Sequence, residues 1–171
     1  MAKVERRLIA EGEWYEVECA VRTDESSPAS EFFDALQNHQ WDPGALEIPL
    51  EPDEQIRSRD ILLVWCQALA DTGNPVRRTA VNYLTDGVWE FKRGAIRLTF
   101  YDTPGDGSYS PKPPERDGRS LGADWHEFYW FPEFDDFVRL GHAFPKAGQR
   151  TSDFDLAECQ LVREEDLTHD E

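Results

Sequence analysis

The chain has 171 residues and a formal charge of −17, from 35 acidic and 18 basic side chains. That length suits one domain with a sizeable core, and 39% hydrophobic with 31% charged residues speaks against a disordered chain. No transmembrane-length apolar run occurs, and the opening MAKVERRLIAEGEWYE is too charged for the apolar region of a signal peptide, so no membrane partner is expected.

Residues 14–22, WYEVECAVR, alternate and predict a half-buried strand, with Tyr15, Val17, Cys19 and Val21 on one face. Ser27 then stands as an N-cap before Pro28, and Phe32, Phe33 and Leu36 give a short helix its apolar stripe, ending near Asn38. Residues 41–55, with three prolines and five acids, read as a loop. A stronger helix is expected from about Gln55 to Asp71, buried through Leu62, Leu63, Cys66, Leu69 and Ala70 and stopped by Gly73 and Pro75. Residues 79–84 read as one more helical turn ahead of Asp86-Gly87.

Strands follow at 88–93 and 95–102, joined through Gly94. In the second, Ile96, Leu98 and Phe100 share one face, and Arg97, Thr99 and Tyr101 the other. Residues 103–123 are rich in Pro, Gly and Ser and read as a long exposed loop. WHEFYWFPEF (125–134) reads as an aromatic segment that packs back onto the body, as core or lid, although its rings could also stack on bases. A strand at 136–144 puts Val138, Leu140, His142 and Phe144 on one face and Arg139, Gly141 and Ala143 on the other, which makes His142 a core histidine. A last helix covers roughly 152–166. The expected fold is a single α+β domain. Its antiparallel sheet has 88–93, 95–102 and 136–144 as neighbours, two N-terminal helices on one face and a C-terminal helix.

Cys19, Cys66 and Cys159 are far apart, without CxxC or metal spacing, and read as small core residues in a reducing cytoplasm. His126-Glu127 lacks the second histidine of a zinc helix, and neither a metal nor a cofactor is expected.

Positive charge is concentrated in two places. Residues 72–101 carry Arg77, Arg78, Lys92, Arg93 and Arg97 against Asp86 and Glu90. Residues 137–151 carry Arg139, Lys146 and Arg150 with no acid. Basic islands in so acidic a chain point to a phosphate-facing site. The acidity itself has two readings: a surface that repels nucleic acid, or the habit of a host proteome, since only four lysines stand beside fourteen arginines.

SPASEFFDAL, LADTGNPVRRTAVNYLTDGVWEFKRGAIRLTFYD and LGHAFPKAGQRTSDFDLAEC, in this order, resemble the RelE/HigB/ParE toxin superfamily. The second and third segments are similar to its phage-derived HigB-like branch, with that branch's "G-N-P", "L-x-D-G-L-W-E-L-R", "Y-R-hydrophobic-x-Y" and "L-H-x-F-x-K-K-x-x-K-T-P" elements. The resemblance covers about 27–102 and 136–160, and leaves 103–135 as an insertion. It implies a RelE-like fold and a toxin of a type II toxin–antitoxin system, a cytoplasmic mRNA interferase that cleaves translated mRNA on the ribosome without metal. It also implies a helix-turn-helix antitoxin as partner. Members of the ParE type poison DNA gyrase instead.

By position, the resemblance makes Arg97 the arginine that stabilises the scissile phosphate, and places Lys92 and Arg93 in the basic stretch of the preceding strand. Lys146 and Arg150 match the basic residues between the last strand and the last helix. The second lysine of the family's pair is Ala147 here, and Phe154 stands nearest to the place where many RelE-type enzymes carry a catalytic tyrosine.

Arginine suits the central task because its permanently charged fork binds phosphate in a bidentate manner. Lys92 and Arg93 fall on opposite strand faces, so at most one can join Arg97. Tyr101 is either a proton donor or stacking platform, or a ring packed at a strand end. Arg97, Lys146 and Arg150 are expected to converge on one concave positive patch with Arg139 at its edge. The alternative is a non-catalytic RelE-like binding module that acts through a protein partner, either an antitoxin or a gyrase-like target.

Overall fold

Both N-terminal helices begin at a proline, whose fixed φ suits the first helical position and whose missing N–H costs nothing there. Helix α1 runs Pro28–Gln37 and α2 runs Pro52–Thr72. Ser27 stands at the N-cap of α1 in extended conformation, but its hydroxyl donates to the Ala20 carbonyl at 2.8 Å and does not cap the helix. Helix α2 stops at Gly73, whose φ of +74° lets its N–H close on the Leu69 carbonyl. A Cβ there would sit 2.7 Å from the Trp14 ring. The computed structural model describes residues 4–42, 50–116, 129–146, 148 and 150–171.

The fold is α+β. Strands β1 (Leu8–Glu11), β2 (Glu16–Cys19), β3 (Val81–Thr85), β4 (Val88–Arg93) and β5 (Ile96–Thr103) precede a two-stranded ribbon of β6 (Glu115–Arg116) and β7 (Tyr129–Trp130). Strand β8 (Phe137–Pro145) and helix α3 (Asp153–Thr168) close the chain. The main sheet has the order β1-β2-β8-β5-β4-β3. The three expected strands are indeed antiparallel neighbours, but β2 joins β8 in parallel, so the sheet is mixed.

Helices α1 and α2 cover one face. Phe33, Leu36, Leu62, Cys66 and Leu69 meet Val17, Phe91, Leu98, Phe100, Val138 and Leu140 there. Each such side chain contributes about 1.5–3 kcal/mol by leaving water. Helix α3 covers part of the other face, with Cys159 and Val162 against Ala20, Val88 and Tyr101. Its start is a local device: Ser152 Oγ accepts from the Asp155 N–H at 3.1 Å and donates to Asp155 Oδ2 at 2.7 Å.

Two expectations are corrected. Residues 79–84 do not form a helical turn beyond Arg78–Ala80; Val81–Thr85 is a strand paired with β4. Asp86 and Gly87 both have positive φ, +45° and +81°, the two-residue hairpin turn that Asp-Gly favours. Second, β8 carries a bulge. Leu98 pairs with Ala143 but Phe100 with Leu140, so Thr99 alone faces Gly141 and His142. The Thr99 hydroxyl bridges the gap, donating to the His142 carbonyl at 3.0 Å and accepting its N–H at 2.8 Å. The extra residue inverts the alternation. Ala143 packs on the helical core, while His142 and Phe144 turn to the α3 face.

The segment that follows β5 is tied to the sheet by Lys112, whose Nζ binds Asp102 at 2.8 Å and Asp135 at 2.9 Å. Phe131 and Phe134 pack on Trp89 with ring centroids 5.0 and 6.1 Å away. Trp125, His126, Glu127 and Phe128 lie outside the described residues. Among the described residues, no helix is long and apolar enough to cross a membrane.

Candidate functional site

The face of the sheet that carries α3 has a closed half and an open half. Along β4, Glu90 and Lys92 point to this face. Along β5, Arg97, Thr99 and Tyr101 do so, and Lys92 lies directly opposite Arg97. The first turn of α3 reaches only as far as His142, whose Nε2 is 2.8 Å from Asp155 Oδ1. Beyond it lie Phe144, paired with Arg97, and Lys146, whose main-chain N–H binds the Ala95 carbonyl at 2.7 Å.

Lys92, Arg97 and Lys146 surround one carboxylate, Glu90. It is 1% exposed. Its Oε1 accepts from Asn82 at 3.3 Å and lies 3.7 Å from Arg97 Nε, too far for a hydrogen bond. Burial raises its pKa above the usual carboxylate range, opposed by the Asn82 hydrogen bond and by the charges of Lys146, Arg97 and Lys92. Lys92 is pushed the other way. Burial, and then the neighbouring Arg97 and Lys146 charges, lower its ammonium pKa, and Glu90 only partly offsets this. Arg97 is held at the β4–β5 turn, where its guanidinium donates to the Gly94 and Ile96 carbonyls at 2.6 and 2.9 Å.

Beside this array is a cavity of about 470 Å³, lined by His142, Phe144, Lys146, Arg150, Phe154 and Asp155 among others. The His142 ring stacks on Phe144 at 5.4 Å and meets the edge of Phe154 at 6.5 Å. Phe154 is 69% exposed. Arg150 stands on the rim in a solvent-exposed pair with Asp153 at 3.1 Å. Chemically, the arrangement offers three cations for an anion, an imidazole oriented by a carboxylate, and an apolar wall.

The structure thus brings Arg97, Lys92 and Lys146 together and sets Arg150 across the adjoining cavity. Three other expected site residues lie elsewhere. Arg93 points to the helical face and pairs with Glu54 of α2 at 3.2 Å, as alternation from Lys92 requires. Tyr101 is 2% exposed, and its hydroxyl donates to Asp166 of α3, so it is neither a proton donor nor a stacking platform at the surface. Burial and the Asp166 charge raise its pKa well above the ordinary phenol value.

Arg139 is no edge of a positive patch. It is 2% exposed and binds Glu18 and Asp166, each at 2.9 Å, and Asp170. Asp166 is itself fully buried, and accepts from Arg6 at 2.9 Å and from the Val21 N–H at 2.8 Å. Helix α3 was the missing information for both residues: it lands on that half of the face and brings the acids with it.

Two groups at the site escape a reading of residue type and spacing. His142 is there because of the bulge, for which Gly141 is the only local signal; a Cβ on Gly141 would lie 3.0 Å from Thr99 Oγ1. Glu90 shares the parity of Lys92 and could have been placed beside it by counting, but its burial could not. Among the described residues, no group of three or more His, Cys, Asp or Glu side chains is arranged to hold a metal ion. No family model matches this chain, and no curated protein and no solved structure matches it.

Proposed function

We propose that this protein is a RelE/HigB-like toxin, a metal-independent endoribonuclease that cleaves mRNA on the ribosome and is neutralised by a helix-turn-helix antitoxin. The observation that carries this reading is the convergence of Lys92, Arg97 and Lys146 on the open half of one sheet face, beside the His142–Asp155 pair. The segments that resemble the family are the ones that supply these residues.

In this reading the phosphodiester sits over the three cations. The mRNA 2′-oxygen attacks phosphorus, forming the new P–O bond as the bond to the 5′-oxygen breaks. Asp155 holds His142 by Nε2, which leaves Nδ1 as the ring nitrogen able to take the 2′-hydroxyl proton. Arg97 and Lys146 stabilise the charge that builds on the phosphorane oxygens. Lys92, whose ammonium is made more acidic by burial and by Arg97, protonates the leaving 5′-oxygen. The apolar wall of Phe144 and Phe154 borders the place where the flanking nucleotide would lie.

Controlled expression tests this reading. Wild type should arrest growth and leave cleaved mRNA on translating ribosomes, and Arg97→Ala and His142→Gln should relieve both while remaining folded. A competing reading draws on the charge of −17, which suits a protein partner better than a ribosome. A folded wild type that is harmless and inert toward ribosome-bound mRNA would favour that binding module, with its partner sought among antitoxin-like or gyrase-like proteins.

A further inference from the structure

Glu90 has no evident place in the chemistry above, yet it stands at the centre of the cations. A carboxylate that existed only to stabilise the fold would be closed by hydrogen bonds to its counter-ions, as Asp166 is by Arg6 and Arg139. Glu90 is not. Its Oε2 is sealed from solvent and has no hydrogen-bond partner among the described residues. Its one hydrogen bond comes from the neutral Asn82. Arg97 Nε, the nearest cationic atom at 3.7 Å, is likewise buried without a partner. The cations are therefore gathered around a charge with which they do not close. Nor can Glu90 act on substrate directly, since a carboxylate 1% exposed does not reach a ligand on the face above it.

We propose that Glu90 is an internal counter-ion of the phosphate site, a resident anion that competes with a ligand's phosphate for Lys92, Arg97 and Lys146. The proposal rests on the reading of this face as a phosphate site. With Glu90 neutral, the full positive charge of the three side chains would be left to a ligand. With it ionised, each phosphate that binds must share the cations with a resident anion.

The consequence is a pH dependence of definite sign. The groups facing Glu90 are Asn82 from β3, Lys92 from its own strand, Arg97 from β5, Lys146 at the end of β8 and Cys159 from α3. Burial already raises the Glu90 pKa. A bound polyanion raises it further, and by linkage the anion binds more tightly as pH falls through that value. His142 and Asp155 form a pair on the adjoining cavity, and replacing His142 takes that pair out of the comparison.

The test is direct binding of an all-deoxy thymidine tetranucleotide, which lacks the 2′-hydroxyl and keeps its charge between about pH 5 and 8. Wild type and Glu90→Gln are compared at fixed ionic strength, both in the His142→Gln background. Glu90→Gln is expected to bind on the order of tenfold more tightly at the alkaline end, and to lose the rise in affinity toward acid that the parent shows. Equal or weaker binding by Glu90→Gln, or an unchanged pH profile, overturns the proposal and leaves the phosphate site standing. Absence of binding by the parent at every pH overturns both.

If Glu90→Gln does not fold, the parent carries the test through the carbon-13 shift of the Glu90 carboxyl. Its titration midpoint should move upward when the tetranucleotide saturates the protein. A midpoint that stays in place overturns the proposal.

Discussion

Two groups of basic side chains share one face of the sheet, and they are built on opposite principles. Under α3, Arg139 and Arg6 meet Glu18, Asp166 and Asp170, with Tyr101 and the Val21 N–H completing the set around Asp166. A short distance along the face, Lys92, Arg97 and Lys146 surround a single carboxylate that none of them hydrogen-bonds. The first group is sealed, and its charges hold the helix on the sheet. The second is not closed by hydrogen-bonded acids, and among the described residues no helix lies over it. Residue type does not separate the two; the presence of a helix that brings its own acids does.

Substitutions can break this contrast. The largest effect should come from Arg139→Met. It leaves Asp166 and Asp170 facing each other with one fewer cation, a loss of about 3–5 kcal/mol for breaking a buried ionic group. Denaturant unfolding should show it as a lower midpoint, with α3 loosened from the sheet. Should the midpoint hardly move, the network under α3 is not what fixes the helix.

Arg97→Ala should act on the open group alone. If the protein is the ribonuclease proposed above, a drop on the order of 10²–10³ in mRNA cleavage is expected for one lost transition-state donor, with an unchanged unfolding midpoint. A fall in stability comparable to that of Arg139→Met would mean that the two groups are alike after all.

Glu90→Gln sharpens the comparison further, because here loss of a buried charge should stabilise. The folded pKa of Glu90 lies above its unfolded value. Its ionisation therefore costs stability as pH rises from the unfolded to the folded pKa, and the penalty persists above that window. At neutral pH Glu90→Gln should be more stable, and the difference should vanish in acid, below the ordinary carboxylate pKa. Stability measured across that pH window checks both the sign and the window.

The smallest effect belongs to Arg150→Ala. Its exposed pair with Asp153 is screened by water, so thermal unfolding should not change. Polyanion binding should weaken modestly, with the salt slope reduced by about one charge. An unchanged salt slope would remove Arg150 from the binding surface.

Some of this was legible in the chain. Pro28 and Gly73 bound the helices where local backbone rules put such residues, and Ser152 with Asp155 caps α3, whereas α2 starts at Pro52, inside the stretch expected to be a loop up to Gln55. Strands β4 and β5 follow their alternation residue for residue, which limits Arg97 to one of Lys92 and Arg93 as its neighbour; the strand register makes it Lys92. These outcomes depend on φ preferences and on a two-residue period, both of which are local.

The rest was decided at a distance. A single inserted residue at Gly141–His142 moved the histidine from core to site, because a register shift exchanges the faces of everything beyond it. The parallel docking of β2 on β8 and the landing of α3 on the second face join residues more than a hundred positions apart. Those long-range contacts buried Tyr101 and Arg139 and left Lys92, Arg97 and Lys146 in the open half. Alternation names the face a side chain takes; only the packing of another element on that face determines whether its charge is sealed or free to bind.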